Sequence, residues 1–571
     1  MGHKKKQKHV FAGLLAIFLL IAITYFLLTK SPSLSNNEVG MIFSEGKRTK
    51  EAIELALKRS RLYSESREKQ YIQAHGSDYG YSQGKLKEIN DEEHFHLQNK
   101  VYLDYTGAAP YPISILKQSY SDFSKHFYAN AHSRSQPSLK TKDLIEKFRS
   151  KLLEYFNTNP SQYSVVFTSG TTQALKLVGE TFPFSRDSKF AYLNQNHNSV
   201  IGIREYALLK QSSFLSLKEE GVQQFIKDEK ENWNENENKN KNENGEGEEE
   251  EEEEEVTFNL FAYPAESNFD GSKYDLNWIK DFQSIKSKNW LVLLDAAAYL
   301  PSNKLDLGKY PADFVTLSFY KMFGYPTGLG ALIINNDIVH LLQKSYFGGG
   351  TVVLVSDCST FCVRHPNPST KFEDGTLPFL DIIAAKYGLQ FIENLGIDHI
   401  SKHIYYLGKY LVEELLKFKW GNGNPVVEIY GKWDLQQDNN FNKQDNTFIK
   451  QDNNFNKQGG IVAFNILNPK RNYLNFNDVQ ETLESEGINL RTGCNCNPGA
   501  CTQYFDINEN DLQEAAEEKE SCGDDIVFIN NKPLGAIRAS LGYGTTFEHV
   551  DYLIQVIKMK FVEKEQDFTF L

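Results

Sequence analysis

Residues 313–334, DFVTLSFYKMFGYPTGLGALII, indicate the fold. An apolar run reaches Lys321, a glycine-rich turn follows, and a second apolar run, GALII, comes next. Upstream, residues 289–298, NWLVLLDAAA, form another apolar run that carries the acid Asp295. Short apolar runs bounded by turns are typical of strands that are buried on both faces of a parallel sheet.

Helical stretches alternate with these strands. The run YSVVFTSG at 163–170 precedes the helical stretch TTQALKLVGETF at 171–182, and a long helical stretch covers 378–396. Strands that alternate with helices over 100–560 predict an α/β fold with a mostly parallel sheet covered on both faces. In such folds ligands bind at the carboxyl ends of the strands.

Reactive side chains fall at those predicted strand ends. Lys321 is either a solvated surface lysine or a Schiff-base lysine, because partial burial lowers the pKa of an amine. Asp295 either caps the next helix or holds a proton on a cofactor nitrogen. The turn at Gly170, Thr171 and Thr172 is either an ordinary helix start or an anion site.

The order of these residues narrows the choice. His197 in NQNHNSV and Asn268 in ESNFDG lie between the anion turn and Asp295. An electron-sink cofactor needs a phosphate cradle, a ring stacker, a hydroxyl partner, a pyridinium partner and an imine-forming lysine, and the chain has residues suited to each task in this order.

Three of the six cysteines fall in residues 490–501, LRTGCNCNPGAC. Such a cluster is a metal site, a disulfide or a nucleophile. The absence of a nearby histidine or a second cysteine pair argues against a metal site. Six cysteines in 571 residues are too few for a disulfide scaffold, so reduced thiols are expected.

Charge and composition separate other segments from the folded part. The net charge of −13 argues against nucleic-acid binding. We expect an acidic disordered insert at 227–255, an asparagine-rich insert at 436–458 that contains QDNNFNK twice, and a polar stalk at 31–95.

The N-terminus predicts a membrane anchor at 1–30. Four lysines precede an uncharged stretch at 10–28, which is long enough to span a bilayer as a helix. The lysines favour a cytoplasmic N-terminus, whereas Asn159 and Asn367, each followed by proline, leave no usable glycosylation sequon. We therefore expect a single-pass membrane protein whose orientation the sequence leaves open.

Residues 100–560 resemble the class V group of pyridoxal-phosphate (PLP) enzymes, and most of all the cysteine-desulfurase-like N-terminal domain of the molybdenum cofactor sulfurases. The resemblance rests on VYLDYTGAAPYP, NAHSRSQPS, VVFTSGTTQALKLVGETFPF, LDAAAYLPSNKLDL, DFVTLSFYKMFGYPTGLGALII, YFGGGTV, FEDGT, GINLRTGCNCNPGAC and IRASLGYGTTFEHVD. It implies the aspartate-aminotransferase-like fold type I, with a large domain at 96–400 built on a seven-stranded sheet and a small α+β domain at 401–571.

The resemblance also implies roles. Lys321 matches the lysine that holds PLP covalently, Asp295 the partner of its pyridinium nitrogen, His197 the ring stacker and Asn268 the partner of the ring hydroxyl. Arg538 matches the arginine that binds the substrate carboxylate. The residues that match phosphate contacts are Gly170, Thr171, Thr172, Ser318 and, from the second subunit of a homodimer, Thr376.

For the cysteine loop the resemblance implies a nucleophile. Cys496 matches the cysteine that takes sulfur from L-cysteine as a persulfide while alanine leaves, and Cys494 is the alternative. Cys501 either relays the persulfide or is a small buried residue. The remaining cysteines, which we expect to be structural, are Cys358, Cys362 and Cys522.

The chain departs from the family pattern in two places. Tyr320 replaces a histidine that precedes the lysine in many desulfurases, and Ala298 replaces a glutamine. We expect the family's C-terminal cofactor-binding domain to be missing after Arg538, which leaves the sulfur acceptor, either molybdenum cofactor or an acceptor protein, open. The alternatives are a non-sulfur epimerase or lyase of the same fold and an inactive anchored scaffold.

Overall fold

A seven-stranded sheet forms the centre of the fold. In chain order the strands are β1 (Val101–Tyr102), β2 (Tyr163–Thr168), β3 (Lys189–Leu193), β4 (Ser213–Leu217), β5 (Asn259–Pro264), β6 (Trp290–Asp295), β7 (Phe314–Ser318), β8 (Gly330–Asn335), β9 (Val352–Val355), β10 (Cys362–Arg364), β11 (Val427–Tyr430), β12 (Ile461–Ile466), β13 (Ile488–Asn489), β14 (Arg491–Gly493), β15 (Phe528–Ile529), β16 (Lys532–Pro533) and β17 (Ala536–Ser540). The central sheet has the order β2-β8-β7-β6-β5-β3-β4.

The prediction of a mostly parallel sheet is confirmed with one exception. Strand β8 runs antiparallel to both β2 and β7, whereas β3 to β7 pair in parallel. Only 319–329 connect β7 to β8, which is too short for a covering crossover helix, so the chain turns back beside β7. Every residue of β5, β6 and β7 is buried, as the apolar runs require.

A second sheet, of order β11-β12-β17-β14, is antiparallel at every pairing. Helices surround the two sheets. They are Lys85–Glu92, Ile113–Lys125, Gln136–Tyr155, Thr171–Thr181, Asn198–Ile201, Ile203–Leu209, 222–231, Trp278–Gln283, Phe319–Phe323, Pro368–Phe372, Phe379–Leu395, Ile397–Leu416, Phe476–Ser485, Pro498–Tyr504, Glu509–Glu518 and Phe547–Ile557.

This computed structural model describes residues 68–563, except 71, 74–78, 83, 98–99, 232–255, 286–288, 434–452 and 522–523. The predicted membrane span at 10–28 and most of both inserts therefore lie outside the described residues. Of the helices that are described, none is long and apolar enough to cross a membrane.

Three predicted boundaries differ from the structure. The end of the predicted stalk is folded, because Tyr79, Tyr81 and the helix Lys85–Glu92 bury apolar side chains in the core. A helix extends to 231, five residues into the predicted acidic insert. At the end of the asparagine-rich insert, Phe455 packs on Tyr405.

Buried histidines make the fold sensitive to acid. The His403 ring is buried, donates from Nε2 to the Thr545 carbonyl at 2.9 Å and accepts from the Tyr79 hydroxyl at 3.1 Å. Burial lowers the pKa of His403 to about 4. An unfolded chain protonates this histidine near pH 6.5, so its contribution to stability is complete above that pH and is lost as the pH falls toward 4.

We expect the His403→Gln variant to lose less stability than wild type when the pH is lowered from 7.5 to 5. Glutamine forms hydrogen bonds without titrating, and the His403 share of the loss is about 2 kcal/mol at about 1.4 kcal/mol per pH unit. Urea unfolding at the two pH values measures the difference. An equal loss in both proteins would show that His403 does not carry this pH dependence.

Candidate active site

A cavity of about 870 Å³, including its open mouth, lies at the carboxyl ends of the central strands. Eight of the predicted site residues line it together: Gly170, Thr171, Thr172, His197, Asn268, Asp295, Ser318 and Lys321. They come from the ends of five strands, β2, β3, β5, β6 and β7, which point to the same edge of the sheet.

Lys321 follows β7 in the short helix Phe319–Phe323. Burial of its ammonium group lowers the pKa, and the positive charges of Arg538 and Arg491 lower it further, while Asp295 opposes these effects. A lysine with a lowered pKa has a larger neutral fraction, and the neutral amine is the nucleophile that attacks a carbonyl.

Asp295 ends β6 and His197 follows β3, two strands that are separated in the sheet by β5. Asp295 is buried at the last position of β6, where its Oδ1 accepts a hydrogen bond from Ala297 N at 3.0 Å. His197 follows β3, and its Nδ1 accepts from Ser199 N at 3.1 Å. Burial lowers the pKa of His197, although Asp295 acts in the opposite direction, so the ring is held mainly neutral and suited to stacking.

The anion turn lies between β2 and the helix Thr171–Thr181. Gly170 has φ of 140°, and no side-chain cap is formed at this helix start. Thr171 donates from N to the Ser318 hydroxyl at 2.8 Å, and Thr172 Oγ1 lies 2.9 Å from Ser199 Oγ. An uncapped helix start with two hydroxyl side chains favours an anion. Gly330 allows the approach of β8, because a Cβ there would lie 2.6 Å from Gly170 Cα.

The cysteine loop is fixed beside the cavity. Asn198 N, next to His197, donates to the Cys496 carbonyl at 2.8 Å, and Asn268 Nδ2 donates to the Asn495 carbonyl at 2.6 Å. The Asn268 Oδ1 accepts from Asn497 Nδ2 at 3.2 Å. The side chain of Asn268, predicted to bind a ring hydroxyl, therefore holds the cysteine loop with both ends of its amide.

Disulfide bonding corrects the expectation that the clustered thiols are all reduced. Cys494 and Cys501 form a disulfide, whereas Cys496 between them is free and exposed. Because of this bond Cys494, the alternative nucleophile, is not a free thiol. Its partner Cys501 is buried, as expected. Residues 494 and 501 are close because a turn at Asn495 and Cys496, both with positive φ, reverses the chain.

Two of the three remaining cysteines differ from their predicted structural role. Cys358 is exposed and Cys362 is partly exposed, on the hairpin of β9 and β10, so neither packs in the core. Cys522 lies outside the described residues.

Arg538 reaches the site from β17 and is buried. Its Nη1 donates to the Asn268 carbonyl at 2.7 Å, and its Nη2 forms an ion pair with Asp104 Oδ1 at 2.7 Å. Burial lowers the pKa of the guanidinium, while Asp104 raises it. Arg538 is thus next to the cavity, with a carboxylate already at one of its nitrogens.

Thr376 does not line the cavity with the other predicted phosphate contacts. Its Oγ1 accepts from Asn130 Nδ2 at 3.2 Å in an exposed region. The preceding residue, Gly375, donates from N to the carbonyl of Gly349 at 2.8 Å, which places Thr376 beside the YFGGGTV stretch.

Sequence reasoning missed two acids. Glu266 lines the cavity, accepts from Asn303 Nδ2 at 3.0 Å, and has its pKa raised to about 8 by burial. The signal for Glu266 was an acid two residues after the end of the apolar strand β5, in YPAESNFDG. The second missed acid is Asp104. Its signal was its place at the end of the short apolar run in VYLDYTGAA.

Comparisons with known proteins agree with this geometry. Molybdenum cofactor sulfurases from Arabidopsis thaliana and Homo sapiens are 38% and 35% identical over 86% and 84% of this chain. The chain spans only 60% and 52% of these two proteins. Among solved structures, the cysteine desulfurase of Thermococcus onnurineus NA1 matches with a TM-score of 0.61 at 20% identity, covering 83% of this chain and 97% of that one.

A second solved structure, the cysteine desulfurase CsdA of Escherichia coli, matches with a TM-score of 0.59 at 17% identity and covers 83% of this chain and 98% of its own. At these identities the two structures establish the fold. The family model "Aminotransferase class-V" matches residues 101–230 and 237–440, which is more than half of the chain. The chain therefore belongs to the aminotransferase class-V family.

Proposed function

We propose that this protein is a PLP-dependent cysteine desulfurase that forms a persulfide on Cys496 and releases alanine. The observation that carries the proposal is the side chain of Asn268, which lines the cavity of Lys321 and also binds the loop of Cys496. A covalent cofactor site and an exposed free thiol are thereby joined in one place. The names of the relatives, molybdenum cofactor sulfurase, support sulfur chemistry.

The residues of the cavity fit PLP. Lys321 is the half-buried amine that would hold it, Asp295 is a buried carboxylate at the cavity wall, and the uncapped turn at Gly170 offers an anion site for the phosphate. Bound there, PLP supplies an electron sink that weakens the bonds around the α-carbon of an amino acid.

The chain's own residues supply binding and the nucleophile. Arg538 provides the guanidinium for the substrate carboxylate, and His197 covers one side of the cavity. The Cys496 thiolate attacks the sulfur of L-cysteine, a sulfur–sulfur bond forms, and the carbon–sulfur bond breaks. The electron pair of the broken carbon–sulfur bond stays with carbon, which takes a proton to give alanine. The proton of the substrate thiol remains on the outer sulfur of the persulfide.

The products of L-cysteine test this proposal. Protein loaded with PLP and given L-cysteine and a thiol reductant is expected to release alanine and sulfide in equal amounts. Pyruvate and ammonia instead of alanine would show the lyase alternative, and D-cysteine without sulfide would show the epimerase.

We further propose that the sulfur passes to molybdenum cofactor or to an acceptor protein. The support is the name that the relatives carry and the exposure of Cys496. Isotopically labelled sulfur, loaded on Cys496 from L-cysteine, is expected to move to the added acceptor. Label that stays on the protein in the presence of both acceptors would contradict this step.

We propose a homodimer, with Thr376 of each copy reaching the phosphate site of the other. Apolar side chains are exposed on the adjacent hairpin of β9 and β10: Val353, Leu354, Val355, Phe361 and Val363. Exposed apolar patches of this kind mark association surfaces. Sedimentation is expected to give twice the chain mass, and the Leu354→Asp variant is expected to weaken the dimer. A wild-type protein that is active as a monomer would contradict the proposal.

The membrane anchor and the domain division complete the proposal. We propose that 1–30 anchors the protein to a membrane, which co-sedimentation of the full chain with lipid vesicles would test against a variant lacking 1–30.

We also propose a large domain at 96–400 and a small one at 401–571, since the central sheet falls in the first and the antiparallel sheet in the second. The stretch Arg67–Leu571 forms one compact unit, so limited proteolysis between the halves is expected to be slow.

A further inference from the structure

Asp104 lies between two arginines, one of which, Arg538, is bonded to the cavity residue Asn268 and is proposed to bind the substrate carboxylate. Its Oδ1 is 2.7 Å from Arg538 Nη2, and its Oδ2 is 3.7 Å from Arg491 Nε. The two arginines are opposite each other on β14 and β17, which pair with Arg491 in register with Arg538. The three side chains therefore form one charged group, which we call the Arg–Asp–Arg cluster.

The position of Asp104 is built into the fold. Asp104 forms a backbone bridge with Ser540, two residues after Arg538. The hydroxyl of Tyr102 donates to the Asp104 carbonyl at 3.2 Å and to the Ala108 carbonyl at 2.9 Å, which closes the segment around it. Gly107 N donates to the Asp104 carbonyl at 3.0 Å, and a Cβ on Gly107 would collide with the Asp104 carboxylate.

The two arginines differ in solvation. The side chain of Arg538 is 2% exposed and that of Arg491 is 52% exposed. The Arg538 Nε is buried and has no hydrogen-bond partner among the described residues. A buried guanidinium without full pairing attracts an anion, and the half-exposed Arg491 adds a second positive charge at the same place.

The charges of the cluster set how much negative charge it accepts. Arg538 and Arg491 carry two positive charges, and the carboxylate of Asp104 cancels one of them. The remaining single positive charge matches an amino acid with one carboxylate. Without Asp104 the same place would carry two positive charges and would match a dicarboxylate. Both arginines and Asp104 act electrostatically on Lys321, so the net charge of the cluster affects the amine of the cavity.

We propose that Asp104 is a specificity-determining residue that restricts this site to monocarboxylic amino acids and excludes those with an acidic side chain. The inference rests on the proposed function, because it names the substrate class of the same cavity. Asp104 acts through the two guanidiniums and holds no role in bond breaking. It also keeps Arg538 in place when no substrate is bound.

The test compares binding of a monocarboxylate and a dicarboxylate that have no sulfur to transfer. Dissociation constants for L-alanine and L-aspartate are measured from the change in PLP absorption of the loaded full-length protein. Wild type is expected to prefer L-alanine. In the Asp104→Asn variant, whose amide oxygen still accepts from Arg538, we expect the preference to shift toward L-aspartate by about tenfold or more, the order expected for removing one nearby charge.

Two further variants complete the design. Gly107→Ala, which pushes the carboxylate away without removing it, is expected to shift the preference in the same direction. Asp187→Asn removes an exposed charge elsewhere and is expected to leave the preference unchanged. A structural role for Asp104 would weaken both ligands alike, so an unchanged ratio in both Asp104→Asn and Gly107→Ala overturns the inference.

The outcomes separate this inference from the proposed function. If wild type releases alanine from L-cysteine and the ratio of dissociation constants does not move, the cysteine desulfurase stands and the role of Asp104 falls. If wild type neither releases alanine nor binds L-alanine, the proposed function fails, and the role of Asp104 falls with it.

Discussion

Replacing Lys321 with alanine is expected to abolish covalent retention of PLP. Lys321 is the amine that lines the cavity with a pKa lowered by burial, and alanine has no group that can form an imine. Wild-type protein is expected to be yellow and to keep a cofactor adduct after borohydride treatment and denaturation. The Lys321→Ala variant is expected to keep none, and its turnover should fall by orders of magnitude.

An exposed lysine provides the control for this experiment. Lys304 is exposed, so Lys304→Ala is expected to retain the adduct at the wild-type level. Borohydride-stable labelling in Lys321→Ala at another lysine would show that the assignment of the cofactor lysine is wrong.

Replacing Cys496 with alanine is expected to stop sulfur transfer while PLP binding continues. Loss of a covalent nucleophile usually lowers a rate by orders of magnitude. Lys321, Asp295 and Arg538 are untouched, so L-cysteine is still expected to change the absorption of the bound cofactor. Alanine release and alkylation of the persulfide, followed by peptide mass analysis, measure the step that is lost.

Other cysteines distinguish the nucleophile from its neighbours. Cys358→Ala removes an exposed free thiol on the β9–β10 hairpin and is expected to leave alanine release unchanged. Cys494→Ala and Cys501→Ala break the disulfide and are expected to lower the rate several-fold by loosening the loop. Alanine release at the wild-type rate from Cys496→Ala would show that Cys496 is not the nucleophile, and its loss in Cys494→Ala alone would assign that role to Cys494.

The buried parallel strands and the position of the site could be predicted from the sequence because they depend on local patterns. The apolar runs of β6 and β7 are buried throughout, and the acid and lysine at their ends line one cavity. Because parallel strands are buried on both faces, their polar residues must lie at the strand ends, where the sequence shows them. The antiparallel placement of β8 depends on the short connection after Lys321, which a count of residues alone would have indicated.

Features that depend on pairing between distant segments or on an unusual backbone conformation could not be predicted from the sequence. The ion pair of Asp104 with Arg538 joins residues 434 positions apart, and no local pattern marks it. The disulfide of Cys494 and Cys501 depends on a turn in which two non-glycine residues adopt positive φ, against their usual preference. The folded end of the predicted stalk depends on Tyr79 meeting His403 across the chain.

The anchoring of the cysteine loop limits how far its sulfur can travel. Between Cys494 and Cys501 the loop is held by the disulfide and by bonds to Asn198 and Asn268, so the sulfur of Cys496 moves by rotation of its own side chain. A side chain of this length moves its sulfur by a few ångströms, on the scale of a rotamer change. In the proposed transfer the acceptor is therefore expected to come to the sulfur where Cys496 is exposed, and the surface around Cys496 is expected to decide which acceptors fit.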